Sequence, residues 1–160
     1  MGIIMDENKK KVQTDDGFDV RQIDVHELLL QQEPFVFIDQ MTYYDERLTT
    51  SVFRVSPNHL YVEEGKLQTC ALAEVIAQTC AARIGYINKY ILKRTIQMGF
   101  IGAIRNLKVY ATPLVGDLLE TQVEIKEEIM GMLLVEAQIK RGEDLIAEGT
   151  LKMSLTEQPQ

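Results

Sequence analysis

One stretch constrains the fold more than any other: Thr69 to Ile91 holds no proline, is rich in Ala and Leu, and repeats the small residues Ala71, Ala73, Ala77, Ala81, Ala82 and Gly85. It predicts a single helix about 34 Å long at 1.5 Å per residue. Small residues let other backbone come close, which is unusual for a helix lying on a surface and suits one enclosed by a sheet. The strands for such a sheet follow the helix. Leu119, Thr121, Val123 and Ile125 alternate with Glu120, Gln122, Glu124 and Lys126, and Val135, Ala137 and Ile139 alternate with Glu136, Gln138 and Lys140. Leu145, Ala147, Gly149, Leu151 and Met153 keep the same period of two, after a hairpin turn at Arg141 to Asp144. The connections are too short for crossover helices, so these half-buried strands are antiparallel.

Ahead of the helix, Asp19 to Gln32 predicts one short helix with Asp24 as its cap, and Pro34 interrupts it. A β-rich run from Phe35 towards Tyr44 follows, then a polar turn at Asp45-Glu46-Arg47, a strand over Leu48 to Val55, and a loop from Ser56 to Gln68. Pattern alone gives an α+β fold: one antiparallel sheet of about five or six strands packed on one long helix.

The chain has 160 residues, 46% of them hydrophobic, and a net charge of −7. That fits one domain able to bury roughly 70% of its unfolded surface without disulfides or metal. Residues 1–18 read as a polar, frayed tail, and 19–156 as the single domain. Two cysteines make no disulfide framework, and Cys70 and Cys80 lie ten apart on one predicted helix, about 15 Å along its axis, too far to pair. The sequence holds no GxGxxG, P-loop or GxSxG motif and no metal-ligand spacing. No window approaches about 18 consecutive apolar residues, and the N-terminus lacks a basic region followed by an apolar stretch. The expectation is a cytoplasmic protein with no membrane span. An acidic chain is a poor general nucleic-acid binder. Charge is segregated, however: Val75 to Gly116 contains no Asp or Glu but has Arg83, Lys89, Lys93, Arg94, Arg105 and Lys108. This reads either as a local field for an acidic partner or as a mostly buried stretch with few exposed positions.

Only His26 and His59 supply imidazole. His26 sits beside Glu27 with no nucleophile nearby and reads as structural. His59 lies in the loop before the long helix, and Glu74 lies inside that helix among Leu72, Ala73, Val75 and Ile76. A carboxyl group desolvated by those neighbours would serve as a proton donor, and an imidazole is a natural base. The alternative is that Glu74 faces solvent and His59 is a surface loop residue. The amides near Thr69 and Cys70, at the helix start, have no intrahelical acceptors and would form an oxyanion hole for a thioester carbonyl. A nucleophilic Cys70 stays open as well.

Four stretches, in order, resemble the β-hydroxyacyl-acyl-carrier-protein dehydratases of the hotdog fold, particularly their polyene-pathway branch. Leu29-Leu-Gln-Gln-Glu-Pro-Phe-Val-Phe-Ile-Asp39 resembles "LLPHRYPFLLVD", and His59 matches the catalytic His. Leu72-Ala-Glu-Val-Ile-Ala-Gln78 resembles "IIEAMAQ" with its catalytic acid, and Pro113-Leu-Val-Gly-Asp-Leu-Leu119 resembles "PVVPGDQL". The likeness runs from about Leu28 to the last strand. It departs from the family in lacking His-Phe-Pro-Gly and Pro-Gly-Val, in placing Glu74 fifteen residues after His59, one more than in typical members, and in putting Thr69 where the family has a carbonyl-binding Gly.

The resemblance implies a hotdog domain that wraps its antiparallel sheet around the one long central helix and pairs edge to edge as a homodimer or higher homo-oligomer. It places active sites at the interface, with His59 of one protomer facing Glu74 of the other. It implies removal of water from a 3-hydroxyacyl thioester, on acyl carrier protein or coenzyme A, in fatty-acid or polyene-type biosynthesis. No metal or other cofactor is required, and Lys89, Lys93, Arg94 and Arg105 become the surface that docks the carrier protein. Two other outcomes keep the fold: an acyl thioesterase in which Glu74 activates water, and a non-catalytic subunit that binds an acyl chain or builds a hetero-oligomer.

Overall fold

The computed structural model describes residues 19–93 and 99–155; of 99–103 and 155 only the backbone is described. The predicted tail over 1–18 and the last residues from 156 lie outside the described residues.

The strands are β1 (Gln40–Tyr44), β2 (Leu48–Arg54), β3 (Val62–Glu63), β4 (Lys66–Leu67), β5 (Gly99–Val109), β6 (Leu118–Ile129), β7 (Met132–Arg141) and β8 (Asp144–Leu155). Six of them form one sheet in the order β1-β2-β6-β7-β8-β5, and every pair is antiparallel. The alternation read in the sequence is the register of this sheet. Leu119, Thr121, Val123, Val135, Ala137, Ile139, Ala147 and Leu151 are buried, while Glu120, Gln122, Glu136 and Lys140 face out. A two-residue turn, Met130 (φ 52°) and Gly131 (φ 79°), joins β6 to β7. Both residues are left-handed, the geometry that suits the twist of a tight hairpin.

The one α-helix among the described residues, α1 (Cys70–Tyr86), lies against the sheet and continues as a wider π turn over Ile87–Ile91, closed by the Leu92 amide on the Ile87 carbonyl at 2.8 Å. Its buried residues lie on nearly every side, among them Leu72, Val75, Ile76, Ala82 and Tyr86, each exposed by less than 1%. A helix apolar all round is a core helix. The stretch Cys70–Ile91 is long and apolar enough to cross a membrane by length and composition, but 67% of its most apolar window is buried inside the fold. The small residues do what their size suggests at one point above all. Gly85 lies so close to the backbone of Leu28 that an added Cβ would stand 2.3 Å from the Leu28 carbonyl oxygen.

Three expected elements differ, the first being the loop over Ser56 to Gln68, which carries the short antiparallel pair β3–β4. Asp19–Gln32 is not one helix but two single 3-10 turns, Val20–Gln22 and Val25–Glu27, capped by the carboxylates of Asp19 and Asp24 on the Arg21 and His26 amides. Each Asp competes for the local amides as a cap does, and two caps five residues apart leave no room for a longer helix. The segment Phe35–Asp39 is apolar but not a strand. Phe37 and Ile38 are buried beside α1 rather than paired in the sheet, and β1 begins only at Gln40. His26 is bound on both ring nitrogens, to Asp24 at 2.6 Å and Glu33 at 3.0 Å, and these carboxylates, Glu33 foremost, hold its pKa above the usual imidazole range.

Candidate active site

The first turns of α1, the Phe35–Phe37 segment and Tyr61 wall a cavity of about 210 Å³ that also touches Gln31, Cys70 and Ala71. Glu74 stands in it. Its carboxyl group is half-buried and accepts a hydrogen bond at Oε1 from Gln78 Nε2 at 3.1 Å. Gln78, one helical turn further on and 1% exposed, does more. Its Nε2 also donates to the Phe35 carbonyl at 2.7 Å, and its Oε1 accepts from the Phe37 amide at 2.7 Å. One buried amide therefore orients the carboxyl group and ties down the segment that roofs the cavity. The sequence shows Gln78 only as part of a motif; its signal is a polar residue four places from Glu74 on an otherwise apolar helix. Gln78→Leu would leave the Phe37 N–H and Phe35 C=O without partners, an expected cost of about 2–6 kcal/mol at roughly 1–3 kcal/mol per orphaned group. A denaturant titration showing a loss below about 1 kcal/mol would contradict this anchoring role.

His59 is not part of that wall. It lies half-buried, its ring edge-on to Phe37 and Phe53 with centroids 4.7 and 5.2 Å away. The Tyr61 amide donates to Nδ1 at 3.2 Å, and Nε2 lies 3.3 Å from the Val36 carbonyl. These partners assign the neutral tautomer with its proton on Nε2. Within one chain, then, Phe37 is the neighbour the two share: it packs against the His59 imidazole and also lines the cavity that holds Glu74.

At the helix start the Ala71 and Leu72 amides turn back to the Gln68 and Thr69 carbonyls, at 3.0 and 3.1 Å. The amides of Thr69 and Cys70 are left without an acceptor among the described residues, and the Thr69 side chain makes no cap. Cys70 is exposed at the cavity's edge, whereas Cys80 is buried deep on the helix, which pushes its thiol up to about 12. Of the expected carrier-docking residues, Lys89 sits at the far end of the helix in an ion pair with Glu27 (3.2 Å), Lys93 follows the π turn, and Arg105 is exposed on β5. Arg94 lies outside the described residues. Among the described residues no His, Cys, Asp and Glu are grouped so as to hold a metal ion.

A six-stranded antiparallel sheet wrapped on one core helix defines the hotdog class. Its solved members include the dehydratase heterocomplex ApeI:P from Xenorhabdus doucetiae, at 17% identity and a TM-score of 0.78 over 86% of this chain and 94% of that one. They also include a hypothetical thioesterase with coenzyme A from Streptococcus pneumoniae TIGR4, at 11% identity and a TM-score of 0.60 over 76% and 88%. A third is smu.793 from Streptococcus mutans UA159 bound to acetyl CoA, at 11% and 0.62 over 82% and 98%. The chain belongs to the ApeP-like family, whose model, described as ApeP dehydratase, matches residues 23–160. No curated protein matches it in sequence.

Proposed function

We propose that this protein removes water from a 3-hydroxyacyl thioester, carried on acyl carrier protein or coenzyme A, to give the trans-2-enoyl thioester. The observation that carries the reading is Glu74, a carboxyl group held by Gln78 in a cavity with aromatic walls near the unpaired amides of the helix start. The thioester carbonyl lies against the Thr69 and Cys70 amides, where the helix end favours the negative charge that grows on oxygen. His59 takes the α-proton, the β-carbon to oxygen bond breaks, and Glu74, protonated or holding a water, delivers a proton to the departing hydroxyl, which leaves as water.

Two features support closure of the site by a second hotdog subunit. Strand β5 ends the sheet with its outer edge unpaired among the described residues, a template for another chain's strand. Along α1, Ala73, Glu74, Ala77 and Ala81 stay only half-buried, so the chain's own sheet leaves that line open. His59 of one chain then faces Glu74 of the other. The exposed cations Lys93 and Arg105, with Lys89 and Arg94, are the proposed contact for an acidic carrier protein.

The bonds on both His59 nitrogens favour a second reading, in which a different hotdog subunit brings the base and His59 here buttresses Phe37. The two separate on one assay: the purified chain is given a 3-hydroxyacyl thioester and the product mass is followed. Under the first reading the chain alone removes water, and His59→Ala slows it at least about 100-fold, the usual minimum for a lost general base. Turnover that needs an added subunit and survives His59→Ala means the second. Release of free acid and thiol means hydrolysis and rejects both.

A further inference from the structure

A second and larger cavity, about 360 Å³, opens at the other end of α1 between the helix and the inner faces of β6, β7 and β8. It shares no wall residue with the Glu74 cavity. Nine residues separate Glu74 from Arg83, which is about two and a half turns, so the two side chains leave the helix on opposite faces. Ile87, Val123, Ile125, Leu133 and Met153 make most of its wall apolar.

Its one buried cation is Arg83, 5% exposed. A guanidinium has five N–H groups. Nη1 spends two on the Asp45 carbonyl and Thr49 Oγ1, both at 2.8 Å, and Nη2 spends one on the Glu46 carbonyl at 2.6 Å. All three acceptors are uncharged, and the Tyr44 ring, 4.7 Å from the guanidinium carbon, adds only its π face. The Nε–H has no partner among the described residues, and neither has the second Nη2–H. No carboxylate lies within ion-pair distance of Arg83 among the described residues. The acids on the cavity wall, Glu46 and Glu128, are exposed, and their charges stay in water. The half-buried Asp45 carboxylate attracts Arg83 from a distance, but its oxygens are taken by the Tyr43 hydroxyl and the Arg47 and Leu48 amides, so the desolvated guanidinium keeps unused N–H groups facing an apolar wall and has no anion bonded to them.

We infer that this cavity binds a medium-chain carboxylate, the head on Arg83 and the chain along the β6–β8 wall, at a site separate from the one that holds Glu74. At about 30 Å³ per water-sized unit, the volume holds roughly a dozen non-hydrogen atoms. Decanoate has that size. The inference is independent of the dehydration reading.

The test titrates decanoate, and 1-decanol as the uncharged chain of equal length, into the wild-type protein by calorimetry, with methyl-detected magnetic resonance to locate the ligand. Decanoate should saturate at one site per chain and bind at least tenfold tighter than decanol. It should shift the methyls of Ile125 and Met153 but not that of Ala71, and it should bind Glu74→Gln as tightly as wild type. Leu133→Trp, which fills the cavity from the β7 side, should weaken binding at least tenfold. Equal affinity for decanol, absence of saturable binding, or shifts centred on Ala71 would each overturn the assignment. The wild-type comparisons decide it even if Leu133→Trp fails to fold.

Discussion

Glu74→Gln should lower turnover of a 3-hydroxyacyl thioester by about 100- to 10,000-fold, the range for loss of a positioned acid, or about 3–5 kcal/mol of barrier at 1.36 kcal/mol per tenfold. The substitution is chosen for what it preserves. Glutamine has the same length and can still accept the Gln78 Nε2–H, so the Phe35–Phe37 segment stays tied to the helix. What it loses is a proton to give. Melting temperature should stay near that of wild type, which makes a loss of turnover chemical rather than structural. Turnover within threefold of wild type would remove Glu74 from the reaction and leave the cavity as a binding feature.

Gly85→Ala should destabilise the fold by about 2 kcal/mol net, although alanine is the better helix former by about 1 kcal/mol. The new methyl would fall 2.3 Å from the Leu28 carbonyl oxygen and 3.0 Å from its carbonyl carbon. Both are backbone atoms, so no flexible side chain can swing away. The helix must bend or the segment must lift, and Val25, Leu28 and Leu29, all nearly fully buried, would lose part of their packing. At about 2–4 °C per kcal/mol for a chain of this size, the melting temperature should fall by roughly 4–8 °C. A rise would mean that the 3-10 segment does not rest on the helix as described.

These two sites mark where the sequence could be read and where it could not. The long helix, the three C-terminal strands and their antiparallel order were legible because each rests on a local signal. Absence of proline and abundance of small residues set the helix, and a period of two sets each strand. Glu74 was legible for the same reason, as a charge inside an apolar helix. The 3-10 pair at Asp19–Glu27 and the placing of Phe35–Asp39 outside the strands were not. Caps five residues apart outweigh an apolar pattern in the first, and in the second Gln78 supplies from 41 residues away the hydrogen bond that a strand partner would have given. Residue types along the chain determined the layers, the enclosed helix and the acidic group near its start. Only the tertiary structure decided that Gln78 ties the Phe35–Phe37 segment to the helix, that the Nε2 of His59 meets the Val36 carbonyl, and that Arg83 is buried with no carboxylate hydrogen-bonded to it, because each depends on groups distant in sequence meeting in space where water is excluded.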